Sequence, residues 1–239
     1  MDPVADRIFL EITRRYAPQR LAREDVATAL RLAQVEPGKP LADLGCGYGR
    51  HLQALVAEGH PHPIGIDRSP LLLDEAAVQA PSARLLRADL RALPLQADSL
   101  AAAFCFYSSM FLGSHEDALA ALREASRVLR PGGSLVLTTD NPLRLAAQPR
   151  GQHQEDVPGL GRVEEESVWN PATNVDRVTK KLCSPGREEL SATFSIRYYA
   201  PAELAGMARR AGLTFRRLEP DAPLTEETPQ LIAFLEKAP

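Results

Sequence analysis

The sequence predicts a doubly wound α/β fold with a mostly parallel sheet. Two observations carry this. Short apolar runs alternate with helical stretches between residues 41 and 140, the pattern of successive βαβ units with helices on both sheet faces. A glycine cluster, Gly45-Cys46-Gly47-Tyr48-Gly49, stands where the first apolar run hands over to a helix.

The elements follow in order. Segment 4–16 carries Val4, Ile8, Phe9, Ile12 and Tyr16 at rough helical spacing, and Pro18 closes it. Segment 22–35 repeats the pattern with Val26, Leu30 and Ala33, so residues 1–36 are expected to be N-terminal helices. The runs 41–45, 63–67, 83–89, 99–107 and 134–140 are strand candidates. Helices are expected at 51–59, 70–80 and 116–130, the last stopped by Pro131-Gly132-Gly133. Residues 141–175 hold many prolines and glycines with little periodicity, and read as an irregular excursion. Two extended stretches, 176–183 and 190–199, flank the turn at 184–189. A helix at 201–212 and strands at 214–220 and 229–237 close the chain. The reading is one domain over 1–239, with an inserted lid or hairpin at 141–199.

Composition narrows the function. Hydrophobic residues at 44% and charged residues at 25% are ordinary for a soluble globular chain. A net charge of −3 and scattered arginines disfavour nucleic acid as a partner. No run approaches a membrane span, and residues 1–15 lack the pattern of a signal peptide. Cys46, Cys105 and Cys183 have neither paired spacing nor histidine partners, so neither a disulfide framework nor a metal site is expected. The expected location is the cytoplasm, and self-association into a homodimer stays open.

The glycine loop is the sharpest chemical signal. Glycines at alternate positions let the backbone turn and approach a ligand, and the following helix offers free N–H groups. A dinucleotide fingerprint needs glycine where Arg50 stands, and a phosphate-binding loop needs lysine and a hydroxyl residue at its end. Asp67 closes the second apolar run, 24 residues after Asp43. A carboxylate there accepts ribose hydroxyls; the plain structural alternative is a helix-capping acid before Pro70.

The acidic residue followed by GxGxG resembles the first motif of the class I S-adenosylmethionine-dependent methyltransferases, in the small-molecule branch of methyltransferase domains 11 and 25. The stretch ALREASRVLRPGG at 121–133 resembles the helix and turn before their fifth strand, and 197–213 resembles their late helix. The resemblance implies a Rossmann-like sheet of seven strands and S-adenosyl-L-methionine as cofactor. It implies cofactor contacts at Asp43, Gly45, Cys46, Gly47, Gly49, Asp67, Arg68, Asp89, Leu90 and Phe106, with Tyr16 closing over the methionine end. Asp67 would hold the ribose and Asp89-Leu90 the adenine. Phe106 reads equally well as a core aromatic.

The reaction implied is in-line methyl displacement onto a small molecule, in which alignment supplies much of the rate. A base is needed only where the acceptor must lose a proton. His115 and Tyr107 are the candidate catalytic residues; the plain alternative for His115 is the start of a helix capped by Ser114. Trp169, Arg197, Tyr198 and Tyr199 are candidates for an acceptor wall. The chain has Phe106-Tyr107-Ser108-Ser109 where many nucleic-acid and protein amide methyltransferases carry Asn-Pro-Pro-Tyr, which weakens those acceptors. An RNA or protein methyltransferase, a NAD-dependent oxidoreductase and a non-catalytic adenosyl-ligand-binding protein are the competing readings.

Overall fold

A computed structural model describes residues 3–221 and 223–239, with the backbone alone at Tyr16. Two helices lead, α1 (Pro3–Tyr16) and α2 (Gln19–Ala33). There follow β1 (Leu41–Leu44), α3 (Arg50–Ala57), β2 (Ile64–Asp67), α4 (Pro70–Gln79), β3 (Arg84–Arg87) and β4 (Leu100–Cys105). A 3-10 turn (Ser109–Phe111), α5 (His115–Val128) and β5 (Leu129–Asp140) come next. Beyond them lie α6 (Pro142–Ala147), β6 (Gln152–Val157), β7 (Gly161–Asn170), β8 (Val175–Cys183) and β9 (Leu190–Arg197). The chain closes with α7 (Pro201–Arg210), β10 (Leu213–Glu219) and β11 (Gln230–Lys237).

Seven strands form the main sheet, in the order β3-β2-β1-β4-β5-β11-β10. The first five are parallel; β11 runs antiparallel to both neighbours. The expected doubly wound class is what the chain adopts. Every residue of β1 and β4 is buried, which is why these strands read as unbroken apolar runs. On one face Leu119 and Leu122 of α5 pack with Leu204 and Met207 of α7. On the other, Val26 of α2 packs with Leu52 and Leu55 of α3. Among the described residues no helix is long and apolar enough to cross a membrane.

The segment after β5 departs from the sequence reading. The excursion expected to be irregular contains α6 and two of four antiparallel strands, ordered β6-β7-β8-β9. Strand β6 is polar and exposed at five of its six residues, as an edge strand can be. Strand β7 buries only Val163 and Ser167, so no apolar alternation marks it. The small sheet is held at two ends. Ile8 and Ile12 of α1 pack against Val163, Leu182 and Ala192. At the other end Arg150 pairs with Asp140, at the tip of β5, and with Asp176 of β8. Asp176 is fully buried and also accepts a 2.6 Å hydrogen bond from the Ser167 hydroxyl.

Candidate active site

The carboxyl ends of β1, β2 and β4 converge on the glycine loop. Gly45 and Cys46 donate to the Ile66 carbonyl at 2.8 and 3.0 Å, which ties the loop to β2. Gly45 lies at φ +81°, and a Cβ there would stand 2.6 Å from Cβ of Ser109. Gly49, at φ +86°, would meet Cα of Ala76 at 2.9 Å. Both positions exclude a side chain by backbone conformation and by close approach. Gly47 faces the Phe9 ring, with 3.4 Å from its Cβ position to the nearest ring carbon, so α1 crosses over the loop.

Two carboxylates serve this loop. Asp67 accepts from the Gly47 amide at 3.0 Å and from the Ser69 amide at 2.9 Å. Each oxygen keeps a lone pair for another donor. Burial raises its pKa, while the two amides oppose the rise. The cap of α4 is Ser69, whose hydroxyl accepts from the Leu72 amide, so Asp67 is not the capping residue. Asp43 is 1% exposed, and neither carboxylate oxygen finds a partner among the described residues. Burial pushes its pKa up to about 8, against an opposing pull from Arg50. Arg50, itself 8% exposed, leaves its Nη1 without a partner. A buried carboxyl and a buried guanidinium nitrogen left without partners are costly, and suit a ligand that offers both an ammonium and a carboxylate.

At the tip of β4 the backbone is strained. Tyr107 and Ser108 have φ of 55° and 60°, a left-handed region that costs each side-chain-bearing residue about 1–3 kcal/mol. Strand β5 imposes the shape: the Tyr107 amide donates to the Thr138 hydroxyl at 2.8 Å and the Ser108 amide to the Thr138 carbonyl at 2.9 Å. The Tyr107 hydroxyl donates to Asp25 on α2 at 2.9 Å, and the Arg50 guanidinium lies 4.5 Å above the Tyr107 ring.

Residues 41–133 match a family described as a methyltransferase domain. The chain is 32% identical over 177 residues to the malonyl-[acyl-carrier protein] O-methyltransferase of Serratia marcescens, a match covering 73% of this chain and 63% of that protein. An S-adenosylmethionine-dependent methyltransferase from Clostridium acetobutylicum superposes with a TM-score of 0.80 at 14% identity, over 98% of this chain and 97% of that one. The sugar N-methyltransferase KedS8 from Streptoalloteichus superposes with a TM-score of 0.73 at 20% identity, over 96% and 92%. This is a class I S-adenosylmethionine-dependent methyltransferase fold. The chain spans from about a third to under two thirds of the length of the first curated relatives it matches.

Several expected site residues of this methyltransferase fold sit where the sequence placed them. Leu90 comes within 3.9 Å of the Cβ position of Gly45, so the β3 end reaches the loop. Cys46 is buried, its thiol pKa raised well above the usual range by burial. The Arg68 carbonyl accepts from Arg87. The side chain of Tyr16 lies outside the described residues. Asp89 differs: Arg91 binds both its oxygens, at 2.9 and 2.7 Å, and also reaches Asp117. Phe106 differs too. Its ring is 3% exposed and stacks 4.0 Å from His51, so it is a core aromatic.

The two candidate catalytic residues each have a hydrogen-bond partner. His115 begins α5, capped by Ser114 in a reciprocal box with Asp117. Its Nδ1 lies 3.3 Å from the Tyr199 hydroxyl, on the α5 side of the sheet. The single proton of Tyr107 goes to Asp25. Trp169 is 6.2 Å from Tyr198 between ring centroids, while Arg197 lies 5.2 Å from the Tyr199 ring. Sequence reasoning missed Asp25 and His51 altogether, and used Arg50 only to exclude a dinucleotide. Their signal was faint: Asp25 flanks the buried stripe Ala22, Val26 and Ala29 of α2.

Proposed function

We propose that this chain transfers the methyl group of S-adenosylmethionine to a small molecule through an amine or carboxylate nucleophile. One observation carries the cofactor half: the buried, unpartnered Asp43 carboxylate next to the unpartnered Arg50 nitrogen at the head of the glycine loop. A methionine zwitterion satisfies both, its ammonium at Asp43 and its carboxylate at Arg50. Asp67 takes the ribose hydroxyls with its remaining lone pairs, and Leu90 covers the adenine. The cofactor supplies an electrophilic methyl on a positively charged sulfur. The protein's part is to fix that methyl at the tip of β4 and to exclude water.

The acceptor half rests on what the site residues do. The Tyr107 hydroxyl is bound to Asp25, and His115 stands against Tyr199 on the α5 side of the sheet, so no base is assigned at the loop. A neutral amine or a carboxylate attacks with an available lone pair and needs none; the amine sheds its proton after transfer. The small antiparallel sheet is held by α1, which crosses the glycine loop, and by Arg150 at the tip of β5, a position that supports a small acceptor over a macromolecule. Among proteins similar to this chain, one is named as a malonyl-[acyl-carrier protein] O-methyltransferase and another as a sugar N-methyltransferase.

Calorimetry with S-adenosylhomocysteine tests the reading. One-site binding is expected, with Asp67→Asn weakening it about tenfold or more through a lost charged hydrogen bond. A folded wild-type protein that shows no heat with this ligand sinks the assignment. A labelled-methyl assay across small amines and carboxylic acids then identifies the acceptor.

A further inference from the structure

The cluster of Asp25, His51, Tyr107 and Arg50 is not explained by the cofactor contacts alone. It joins three elements that are distant in sequence. Asp25 comes from α2, His51 and Arg50 from the first turn of α3, and Tyr107 from the strained tip of β4. One oxygen of Asp25 accepts twice, from the Tyr107 hydroxyl at 2.9 Å and from His51 Nε2 at 3.2 Å. The His51 ring is stacked on Phe106 and is 5% exposed, which fixes its plane. Burial lowers its pKa to about 4, so the ring is neutral near pH 7 and donates from Nε2. The Tyr107 ring is thereby fixed at its hydroxyl end by Asp25 and at its backbone end by Thr138.

That ring is a platform. The Arg50 guanidinium lies 4.5 Å from its centroid, within the range of a cation–π contact. Arginine is long and rotamer-rich, and the N-terminal turn of a helix does nothing to orient its end. The Arg50 side chain meets this aromatic face, the Tyr107 hydroxyl and the charge of Asp43.

We infer that Asp25 and Tyr107 are positioning residues for Arg50: Asp25, steadied by His51, locks the Tyr107 ring, and the ring holds the guanidinium where a ligand carboxylate arrives. The inference rests on the cofactor reading above. It gives Tyr107 a role in place of the catalytic one expected from the sequence. It also makes α2, outside the glycine loop, part of the determinant of affinity for the amino-acid half of the cofactor.

The test compares two ligands that differ in that half. S-adenosylhomocysteine carries the amino-acid zwitterion and 5′-methylthioadenosine lacks it. Both affinities are measured by calorimetry on the wild type, Arg50→Met, Tyr107→Phe, Asp25→Asn and the double variants with Arg50→Met. Tyr107→Phe and Asp25→Asn are each expected to weaken S-adenosylhomocysteine about three- to tenfold, as for one charged contact partly lost. Both should leave 5′-methylthioadenosine unchanged, and that unchanged affinity certifies the fold. In the Arg50→Met background neither change should cost anything further, because the group being positioned is gone. Equal losses for the two ligands overturn the inference, as do unchanged S-adenosylhomocysteine affinity or full additivity with Arg50→Met. A wild type that binds neither ligand overturns the cofactor reading itself, and this with it.

Discussion

Asp43 sets a conflict between stability and binding in one side chain. Its carboxyl holds a proton up to about pH 8 in the folded chain, because it is buried beside Asp67 with only Arg50 in opposition. An unfolded aspartate releases that proton near pH 3.9. Between these values the folded state binds more protons than the unfolded one, so stability falls as pH rises from about 4 to about 8. Asp43→Asn removes this dependence. Thermal melts of the unliganded proteins should diverge above about pH 4, with the gap in the variant's favour widening toward pH 8. The same variant should lose affinity for S-adenosylhomocysteine. Arrival of an ammonium favours the carboxylate, so binding near pH 7 should release a proton. Calorimetry in buffers of different ionisation enthalpy reads that proton, and identical heats in all buffers would count against the pairing.

At the scale of elements, α1 links the cradle to the small sheet. Ile8 is 2% exposed in the cluster with Val163 and Leu182, while its neighbour Phe9 faces Gly47. Truncating Ile8 to alanine is expected to cost about 2–4 kcal/mol of local packing. Amide exchange should then accelerate in α1 and β9, with the amides of β1 and β4 unaffected. Uniform acceleration across the chain would show that α1 is integral to the main core. The elements of the main sheet were legible because their physics is local. β1 and β4 are buried on both sides and read as apolar runs, and Pro, Gly and Ser mark the helix ends. Strands β6 and β7 were not legible, because strands with charged residues on both faces have no apolar period to read. Asp67 was visible from spacing after the glycine loop. Asp25 and His51 were not, because their roles arise from α2 meeting α3 and β4, a contact that no local pattern encodes.

Across the whole molecule, the Arg150 joint fastens the small sheet to the tip of β5. Its partner Asp176 is fully buried, whereas the Arg150 side chain is 37% exposed. Solvent screening therefore trims the worth of the pair, but removing the arginine strands a buried carboxylate. Arg150→Met should lower stability by about 2 kcal/mol, and adding Asp176→Asn should restore part of it. Denaturant titration of the single and double variants checks this; additive losses would mean that the two residues do not interact. The partners of Arg150 are Asp140, Asp176 and Tyr198 and not the glycine loop, so S-adenosylhomocysteine affinity is expected to survive in both variants.

The strand order has a further consequence, for the time course of making the protein. Strand β10 is joined to the main sheet only through β11, which lies between it and β5. Lys237, at the end of β11, ties back to Asp98 and to the Leu129 carbonyl at 2.7 and 2.8 Å. On the ribosome β10 emerges first and has no place to dock until β11 has followed it. Until then β5 presents an open edge to any neighbouring chain. The nascent polypeptide thus carries an unpaired β5 edge until β11 has been made, and in that interval this edge is the surface most in need of a chaperone.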